Sequence, residues 1–279
     1  MQSKIPHYPV LICGATAVGL GIASELAEKV FIVERTGLVA KEFVDCYHPG
    51  GTEWNAVSPH GEKLKSELLQ RNILDENGNS HIPAAASILF KLIQDTGINT
   101  LFVTEIIKIK KALSCYEITL YNNSGFQQIT ADQIIDTTVL PGSGHPLKEY
   151  ISSMSLNAIL HSKEETNFPF HHPDMVNHPS VSFQQGRFPK EIILKCSPNL
   201  EDDWITARHK LHSYWQNRPS CLEKWKIASV ASTFDITLKE KVCCDLDDNR
   251  VWKPSCGYSN LLDAFEAGLQ FGEELKGGV

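Results

Sequence analysis

The sequence predicts an α/β fold in which helices cover a mainly parallel sheet. Two runs within the first 34 residues, YPVLIC and VFIVE, are continuously apolar, as in strands that are buried on both faces. Between them lie a glycine-containing turn, GATAVG, and a helical segment, LGIASELAEK. A strand, a helix and a second strand in this order form a βαβ unit, so we expect the two strands to run parallel.

Composition places the chain among ordinary globular proteins. Of its 279 residues 42% are apolar and 21% charged, which excludes a disordered chain, a collagen or a small disulfide scaffold. The formal net charge of −7 gives no electrostatic reason to bind nucleic acid. The apolar run 10–23 is too short to span a membrane and lacks the cleavage pattern of a signal peptide. We therefore expect a cytoplasmic protein without a membrane or nucleic-acid partner.

Cysteine and histidine spacing does not indicate a metal site. The eight cysteines include no C-x-x-C pair, and we expect all of them, including the adjacent Cys243 and Cys244, to be reduced thiols. Four histidines lie close together in a polar stretch without an H-x-x-x-H or H-E-x-x-H pattern, so we expect solvated loop residues. They are His161, His171, His172 and His178.

The middle of the chain predicts two helices followed by strands. A short charged helix is expected at 62–71, and a second helix from Pro83 to Asp95, where Gly97 ends it. Residues 101–138 contain the strand segments LFVTEIIKI, CYEITLY and FQQITADQIIDTT. The alternation in YEITLY and the turn from Asn122 to Gly125 predict an antiparallel hairpin.

A change in composition suggests two units. Residues 141–198 are rich in Pro, His, Ser and Asn and have weak periodicity, whereas 201–218 and 259–276 have helical patterns. We expect residues 1–140 and 256–279 to form one Rossmann-type domain, because the amphipathic last segment needs a partner for its apolar face. Residues 141–255 would form a smaller α+β region that serves as a cap, a substrate domain or a partner-binding region.

The turn after the first strand carries the main chemical signal. Gly14 and Gly19 match the outer glycines of the fingerprint G-x-G-x-x-G, Thr16 stands at the middle position, and Glu34 follows 20 residues after Gly14. Such a helix N-terminus offers free N–H groups to a pyrophosphate, and the acid accepts hydrogen bonds from a ribose. The flanking strands and the position of Glu34 favour a bound dinucleotide over a plain βαβ crossover.

Further segments extend this signal along nearly the whole chain. In order, they are YPVLICGATAVGLGIA, FIVERTG, PGGT, AAASILFKLIQDTG, LFVTEIIKI, ITADQIIDTT and SNLLDAFEAGLQFG. In this order and spacing the chain resembles the FAD-dependent oxidoreductases that have a glutathione-reductase-type Rossmann domain. The resemblance implies that FAD is the cofactor and that a small organic substrate is oxidised by hydride transfer to the flavin.

The resemblance also implies which residues bind FAD. The pyrophosphate would lie on the turn, the adenosine ribose on Glu34, the adenine near Ile106, and the flavin between PGGT and the last helix. Arg35 next to Glu34 leaves open whether a nicotinamide dinucleotide would be NAD or NADP. The predicted cofactor-binding residues are Gly14, Thr16, Ala17, Val18, Gly19, Glu34, Arg35, Gly50, Gly51, Thr52, Ile106, Thr137, Thr138, Asn260 and Leu261.

Two other functions remain open, and one histidine is a candidate acid or base. Thr16 replaces the middle glycine, and Asp136-Thr137-Thr138 lacks the family's terminal glycine. The Thr16 departure, the lack of the family's Gly-Asp before the last helix and the lack of an evident acid/base pair favour a catalytically silent dinucleotide-binding subunit, which would serve a partner subunit or a homo-oligomer. An NAD-dependent dehydrogenase is the third alternative. His48, in CYHPGG beside the predicted flavin, could transfer a proton, or it could be an ordinary loop histidine.

Overall fold

The computed structural model describes residues 5–139, 147–164, 170 and 178–277. The helices of this part of the chain are α1 (Ala17–Leu26), α2 (Lys41–Val44), α3 (Pro59–Gln70), α4 (Ala85–Thr96), α5 (Leu147–Tyr150), α6 (Trp204–Gln216) and α7 (Leu261–Lys276). Its strands are β1 (His7–Cys13), β2 (Val30–Val33), β3 (Asn99–Leu101), β4 (Glu105–Lys111), β5 (Tyr116–Asn122), β6 (Gly125–Asp136), β7 (Ile151–Ser162), β8 (Val181–Gln185), β9 (Glu191–Cys196), β10 (Trp225–Val230), β11 (Asp235–Leu238), β12 (Cys244–Asp247) and β13 (Arg250–Trp252).

The larger sheet has the parallel centre that the sequence predicts. Six strands lie in the order β12-β13-β6-β1-β2-β3, and β1 runs parallel to both of its neighbours. Val10 and Ile12 are fully buried among residues of the helices, whereas Leu11 points to the other face and packs among residues of β5 and β6. Both faces of β1 are therefore covered, which explains its continuous apolar sequence.

Local capping sets the helix boundaries. The helix predicted at 62–71 begins earlier, at Pro59, because the Ser58 hydroxyl accepts a hydrogen bond from Gly61 N. The helix predicted from Pro83 begins as a 3₁₀ turn, Ile82–Ala84, before α4, and Gly97 ends it in the left-handed region as expected.

The strands of 101–138 follow the prediction with one difference. LFVTEIIKI does not form one strand, because the chain bends between β3 and β4 at Val103, whose φ is 51°. The hairpin of β5 and β6 is confirmed, with Asn122 paired to Gly125 across a two-residue loop. The Asn122 side chain accepts a hydrogen bond from Ser124 N and supports this turn.

A second sheet was not predicted from the weak periodicity of 141–198. In the described residues it contains β10, β7, β9 and β8 in this order, all antiparallel, and β11 also pairs with β7. Residues 154–160 of β7 are all buried, although Ser155 and Asn157 are polar. Their side chains are satisfied by hydrogen bonds inside the protein, which explains why a buried strand lacks a plain apolar pattern.

The strand β13 pairs within the larger sheet, although the predicted division of the chain assigns its residues to the smaller unit. The predicted boundary at residue 255 assigns β12 and β13 to the smaller unit, but β13 pairs in parallel with β6 in the larger sheet. Trp252 is fully buried there, so the chain returns to the first unit before residue 256. The division into 1–140 with 256–279 and 141–255 otherwise stays a prediction.

The two ends of the chain meet, as predicted. Helix α7 crosses α1 so closely that a Cβ on Gly268 would lie 2.2 Å from the carbonyl oxygen of Val18. Leu261, Phe265 and Leu269 of α7 belong to the core that also contains β1 and α1. Within the described residues, no helix is both long and apolar enough to cross a bilayer.

Polar contacts join residues 46–81 to the second sheet. The His81 ring bonds through Nδ1 to Glu191 Oε2 at 2.7 Å, and Asn157 Nδ2 donates to the carbonyl of Cys46 at 2.9 Å. Hydrogen bonding to Glu191 raises the pKa of His81. The segment between β2 and α4 is therefore bonded to the second sheet.

Candidate dinucleotide-binding site

The predicted dinucleotide turn lies at the carboxyl end of β1, between two parallel neighbours. Gly14 adopts a φ of 99°, in the region that favours glycine, and its N–H donates to Val33 O of the next strand. Thr16 is the N-cap of α1, and its Oγ1 accepts from Gly19 N. Ligands of open α/β sheets bind at this edge, so the turn has the expected place in the fold.

Side chains of the protein accept hydrogen bonds from the amides around this turn. The pairs are Ala15 N to Glu34 Oε2 at 3.0 Å, Ala17 N to Glu42 Oε1 at 2.8 Å, Val18 N to Ser255 Oγ at 3.1 Å and Gly19 N to Thr16 Oγ1 at 3.0 Å. These N–H groups are the donors that a phosphate uses at a helix N-terminus. In this conformation a pyrophosphate would have to displace protein groups to reach them.

Glu34 is at the predicted place, but its carboxylate faces the protein. The side chain is buried, Oε2 accepts from Ala15 N, and Oε1 accepts from both N and Oγ1 of Thr36. Arg35, next to it, is exposed and pairs with Glu105 at 3.0 Å. A ribose bond from Glu34 stays a prediction, and it would have to share the oxygens of Glu34 with these donors.

Glu42 is the group that sequence reasoning missed. It lies on the four-residue helix α2, and its Oε1 accepts from Ala17 N and from Ser255 Oγ, the latter at 2.6 Å. Oε2 is buried without a hydrogen-bond partner among the described residues. Burial raises the pKa of Glu42 to about 7, against the lowering effect of these two hydrogen bonds. No periodic pattern marks α2, so only three-dimensional contacts reveal this residue.

The second predicted part of the site, PGGT, lies directly on the N-terminus of α7. A Cβ on Gly50 would lie 2.9 Å from both Asn260 Cβ and Trp54 Cζ2, and Gly51 N donates to Ser259 O. Asn260 caps α7 by accepting from Asp263 N. The structure thus brings these segments together as the resemblance implies, but they contact each other.

Further contacts of Asn260, Thr52 and Leu261 fix the segment around PGGT and the start of α7. The Asn260 amide donates to Glu53 O at 2.9 Å, while the backbone of Thr52 lies against Gly78. Leu261, the first residue of α7, is fully buried in the core. In this conformation Gly50 and Glu53 are thus in direct contact with Asn260 at the start of α7.

The strand predicted to run beside the flavin completes the packing around the turn. Thr137 Oγ1 accepts a hydrogen bond from Thr16 Oγ1 at 2.7 Å and donates to Cys13 O. The Thr138 methyl carbon would lie 2.6 Å from a Cβ on Gly14. Ile106 of β4 pairs with Leu120 of β5 and packs in the apolar cluster on the far face of the sheet.

His48 is held by two acceptors. Its Nδ1 lies 2.8 Å from Asp235 Oδ1, and its Nε2 lies 2.9 Å from the carbonyl oxygen of Ser259. The buried Asp235 also bonds to Lys195 Nζ at 2.8 Å, and the charges of His48 and Lys195 hold its pKa well below the usual range. Both ring nitrogens therefore face protein acceptors, an arrangement that suits a structural contact better than a proton-transferring base.

The remaining histidines and cysteines form no metal cluster among the residues that the structure describes. His161 lies 3.5 Å from Glu191, and His178 packs edge-on against Tyr214, whereas His171 and His172 fall outside the described residues. All eight cysteines are free thiols, and Cys243 is exposed.

Two cavities of the described chain lie away from the turn. One of about 320 Å³ is on the outer face of the hairpin, beside Lys108, Glu117 and Gln128. A second, of about 20 Å³, lies between α3 and α4. In this conformation the amides of the turn are bonded to side chains and Gly50 is packed on Asn260, so a dinucleotide could bind along these residues only after the contacts open.

Comparison with solved structures identifies the fold. A ternary complex of aklavinone-11 hydroxylase with FAD and aklavinone aligns with a TM-score of 0.57 and 13% identity, over 98% of this chain and 62% of the hydroxylase. Glycine oxidase from Geobacillus kaustophilus aligns with a TM-score of 0.61 and 11% identity, over 97% of this chain and 95% of the oxidase. A flavoprotein/dehydrogenase from Cytophaga hutchinsonii aligns with a TM-score of 0.57 and 15% identity, over 97% of this chain and 79% of that protein.

At such low identity the alignments establish a common fold only. They confirm the predicted α/β flavoprotein architecture, while the glutathione-reductase-type subfamily stays a prediction. No protein-family model and no curated protein matches the chain. The chain spans about three fifths of the aklavinone hydroxylase, so activity, substrate and partners are matters for proposal.

Proposed function

We propose that this chain is a flavin-dependent oxidoreductase that binds FAD along the turn 14–19 and oxidises a small organic substrate. The observation that carries the proposal is the alignment of 98% of the chain with the fold of a hydroxylase that binds FAD. The position of the turn at the end of β1, with Glu34 at the end of β2, supports the same cofactor. FAD would supply the redox chemistry, and the chain its binding and orientation.

Binding requires a different local conformation from the one described. Glu42 and Ser255 must release Ala17 N and Val18 N, and residues 50–54 must separate from Asn260. With these changes the turn would face the pyrophosphate and Glu34 the ribose. The segment around Gly50, Gly51, Thr52 and Asn260 would then face the flavin.

Absorption and equilibrium dialysis test the proposal. Purified protein, with and without added FAD, is scanned for flavin bands in the blue region, and FAD, NAD and NADP are dialysed against it. We expect saturable binding of FAD and bleaching of the bands by an oxidisable substrate. Saturable binding of NAD without FAD would support the dehydrogenase alternative, and binding of no dinucleotide would contradict the proposal.

A catalytically silent subunit is the second candidate, and a specific observation favours it. Protein groups accept from the four amides around the turn, and Gly50 packs on Asn260, so the site is closed by its own chain. Such a subunit would act on a partner protein or in a homo-oligomer. It predicts a chain that binds a dinucleotide but whose bound FAD is not bleached by any substrate.

A further inference from the structure

We propose that the Glu42 carboxylate occupies the anion position at the N-terminus of α1 and competes there with the pyrophosphate of a dinucleotide. This inference rests on the proposed function, because it concerns how the same turn opens. It adds a built-in competitor to the site.

The first support is the position of the carboxylate. Glu42 Oε1 lies 2.8 Å from Ala17 N and 2.6 Å from Ser255 Oγ, and the same hydroxyl accepts from Val18 N. A carboxylate and a hydroxyl thus cover two consecutive N–H groups, as two oxygens of one phosphate can do. A negative charge at this end is also favoured by the helix dipole.

The second support is that α1 does not need Glu42 as its cap. Thr16 already performs that role, because its Oγ1 accepts from Gly19 N. Glu42 reaches the helix from a segment 25 residues further along the chain. Glu42 therefore accepts from Ala17 N, an N–H group that the Thr16 cap leaves free for a ligand.

The third support is a contrast between the two carboxylates at this turn. Both oxygens of Glu34 accept hydrogen bonds from protein donors, whereas Glu42 Oε2 is buried and has no partner among the described residues. A buried oxygen without a donor costs free energy. Burial also raises the pKa of Glu42 to about 7. Glu42 is thus the less firmly held of the two, and the one that a ligand can displace.

The second sheet holds the segment that carries Glu42. Asn157 Nδ2 of β7 donates to Cys46 O, the Tyr47 hydroxyl bonds to Ser229 Oγ of β10 at 2.6 Å, and Ser232 bonds to Asp45. The position of α2, and with it the contact of Glu42 with Ala17, therefore depends on bonds to the second sheet and the loop after β10. The smaller unit is in this way linked to the dinucleotide turn.

Affinity measurements on two variants test the proposal. Glu42→Ala removes both the charge and the bulk, and Glu42→Gln removes the charge but keeps an acceptor for Ala17 N. Glu62→Ala is the matched control, because Glu62 is an exposed acid in the first turn of another helix, α3. FAD, ADP and inorganic pyrophosphate are titrated by calorimetry, and thermal unfolding checks that each variant is folded.

We expect Glu42→Ala to bind FAD, ADP and pyrophosphate at least tenfold more tightly than the parent chain, which corresponds to about 1.4 kcal/mol. The gain should be smaller for Glu42→Gln and absent for Glu62→Ala. Tighter ADP and pyrophosphate binding without any FAD binding would support the competitor and contradict the flavin function. FAD binding that is equal in the parent chain and in both Glu42 variants would overturn the competitor alone, and binding of none of the three would contradict both.

Discussion

Gly21 of α1 and Gly268 of α7 bring the backbones of their helices into direct contact. A Cβ on Gly21 would lie 2.1 Å from Phe265 O, and one on Gly268 would lie 3.0 Å from Gly21 Cα. Because α1 also presents the dinucleotide turn, this crossing fixes the direction in which its N-terminus points. The first and last parts of the chain therefore position the candidate site together.

Replacing Gly268 by Ala should destabilise the fold by about 1–3 kcal/mol, because the added methyl group meets backbone atoms that cannot rotate away. Urea unfolding followed by circular dichroism measures the change. Gly277→Ala is the control, since a Cβ there meets nothing within 4 Å. Equal stability of the two variants would show that the helices can separate at no cost.

Replacing Glu34 by Ala should destabilise the chain as well as weaken any dinucleotide binding. The change leaves the buried Ala15 N without its acceptor, and an unsatisfied donor of this kind costs about 1–3 kcal/mol. The sequence motif does not reveal this structural role, because the bonds to Ala15 and Thr36 appear only in the folded chain. Chemical denaturation and FAD dialysis measure the two effects, and Glu105→Ala, at an exposed acid, serves as the control.

The sequence predicts elements whose signal is local and misses those that depend on distant partners. The first βαβ unit, the hairpin and α7 were predictable because each has its own periodicity or turn. The strand β7 was not, since Asn157 and Ser155 are buried with partners such as Asp235, about 80 residues away. Glu42 was missed for the same reason, because its partner Ser255 is 213 residues further on.

Stability should fall as the pH rises toward 7, because of Glu42. Its pKa is raised from 4.5 to about 7 in the folded chain, so the folded state keeps a proton that the unfolded state has lost. The stabilising effect is fully present below pH 4.5 and disappears as the pH rises through 7; a shift of this size is worth about 3 kcal/mol. Unfolding free energies between pH 4.5 and 8 should show this slope in the parent chain but a weaker one in Glu42→Gln. Glu62→Gln is the control and should keep the slope of the parent chain. An unchanged slope in Glu42→Gln would contradict the assignment of the effect to Glu42.

The contact between His81 and Glu191 should add a second pH-dependent effect to the stability of the chain. Because this hydrogen bond raises the pKa of His81, its stabilising effect is fully present below the unfolded value of 6.5 and is lost as the pH rises through the folded value. His81→Ala should thus be less stable than the parent chain at pH 5.5 and nearly as stable at pH 8.5. His7→Ala is the control, since His7 pairs with Asp132 at the exposed surface. A stability loss for His81→Ala that is the same at both pH values would argue against the charged pair.

Thr16 should act through its hydroxyl group as a structural cap. Its Oγ1 accepts from Gly19 N and donates to Thr137 Oγ1, so in this conformation no hydroxyl proton is directed at a ligand. Thr16→Val keeps the bulk and loses both bonds, and it should destabilise the chain by about 0.5–2 kcal/mol, as the loss of an N-cap does. Thr16→Ser keeps both bonds and should be close to the parent chain in thermal unfolding.

Thr16→Gly separates this cap from a role in dinucleotide binding. Glycine is a tolerable N-cap, so the stability loss should be only a few tenths of a kcal/mol. The change also restores the middle glycine of the fingerprint and removes Cγ2, which would lie 3.0 Å from a Cβ on Gly14. Because the Thr16 hydroxyl is bonded to Thr137, we expect FAD dialysis to show tighter binding to Thr16→Gly than to the parent chain. Weaker binding to both Thr16→Gly and Thr16→Val, with Thr16→Ser unaffected, would instead mean that the hydroxyl turns to donate to the phosphate when the cofactor binds.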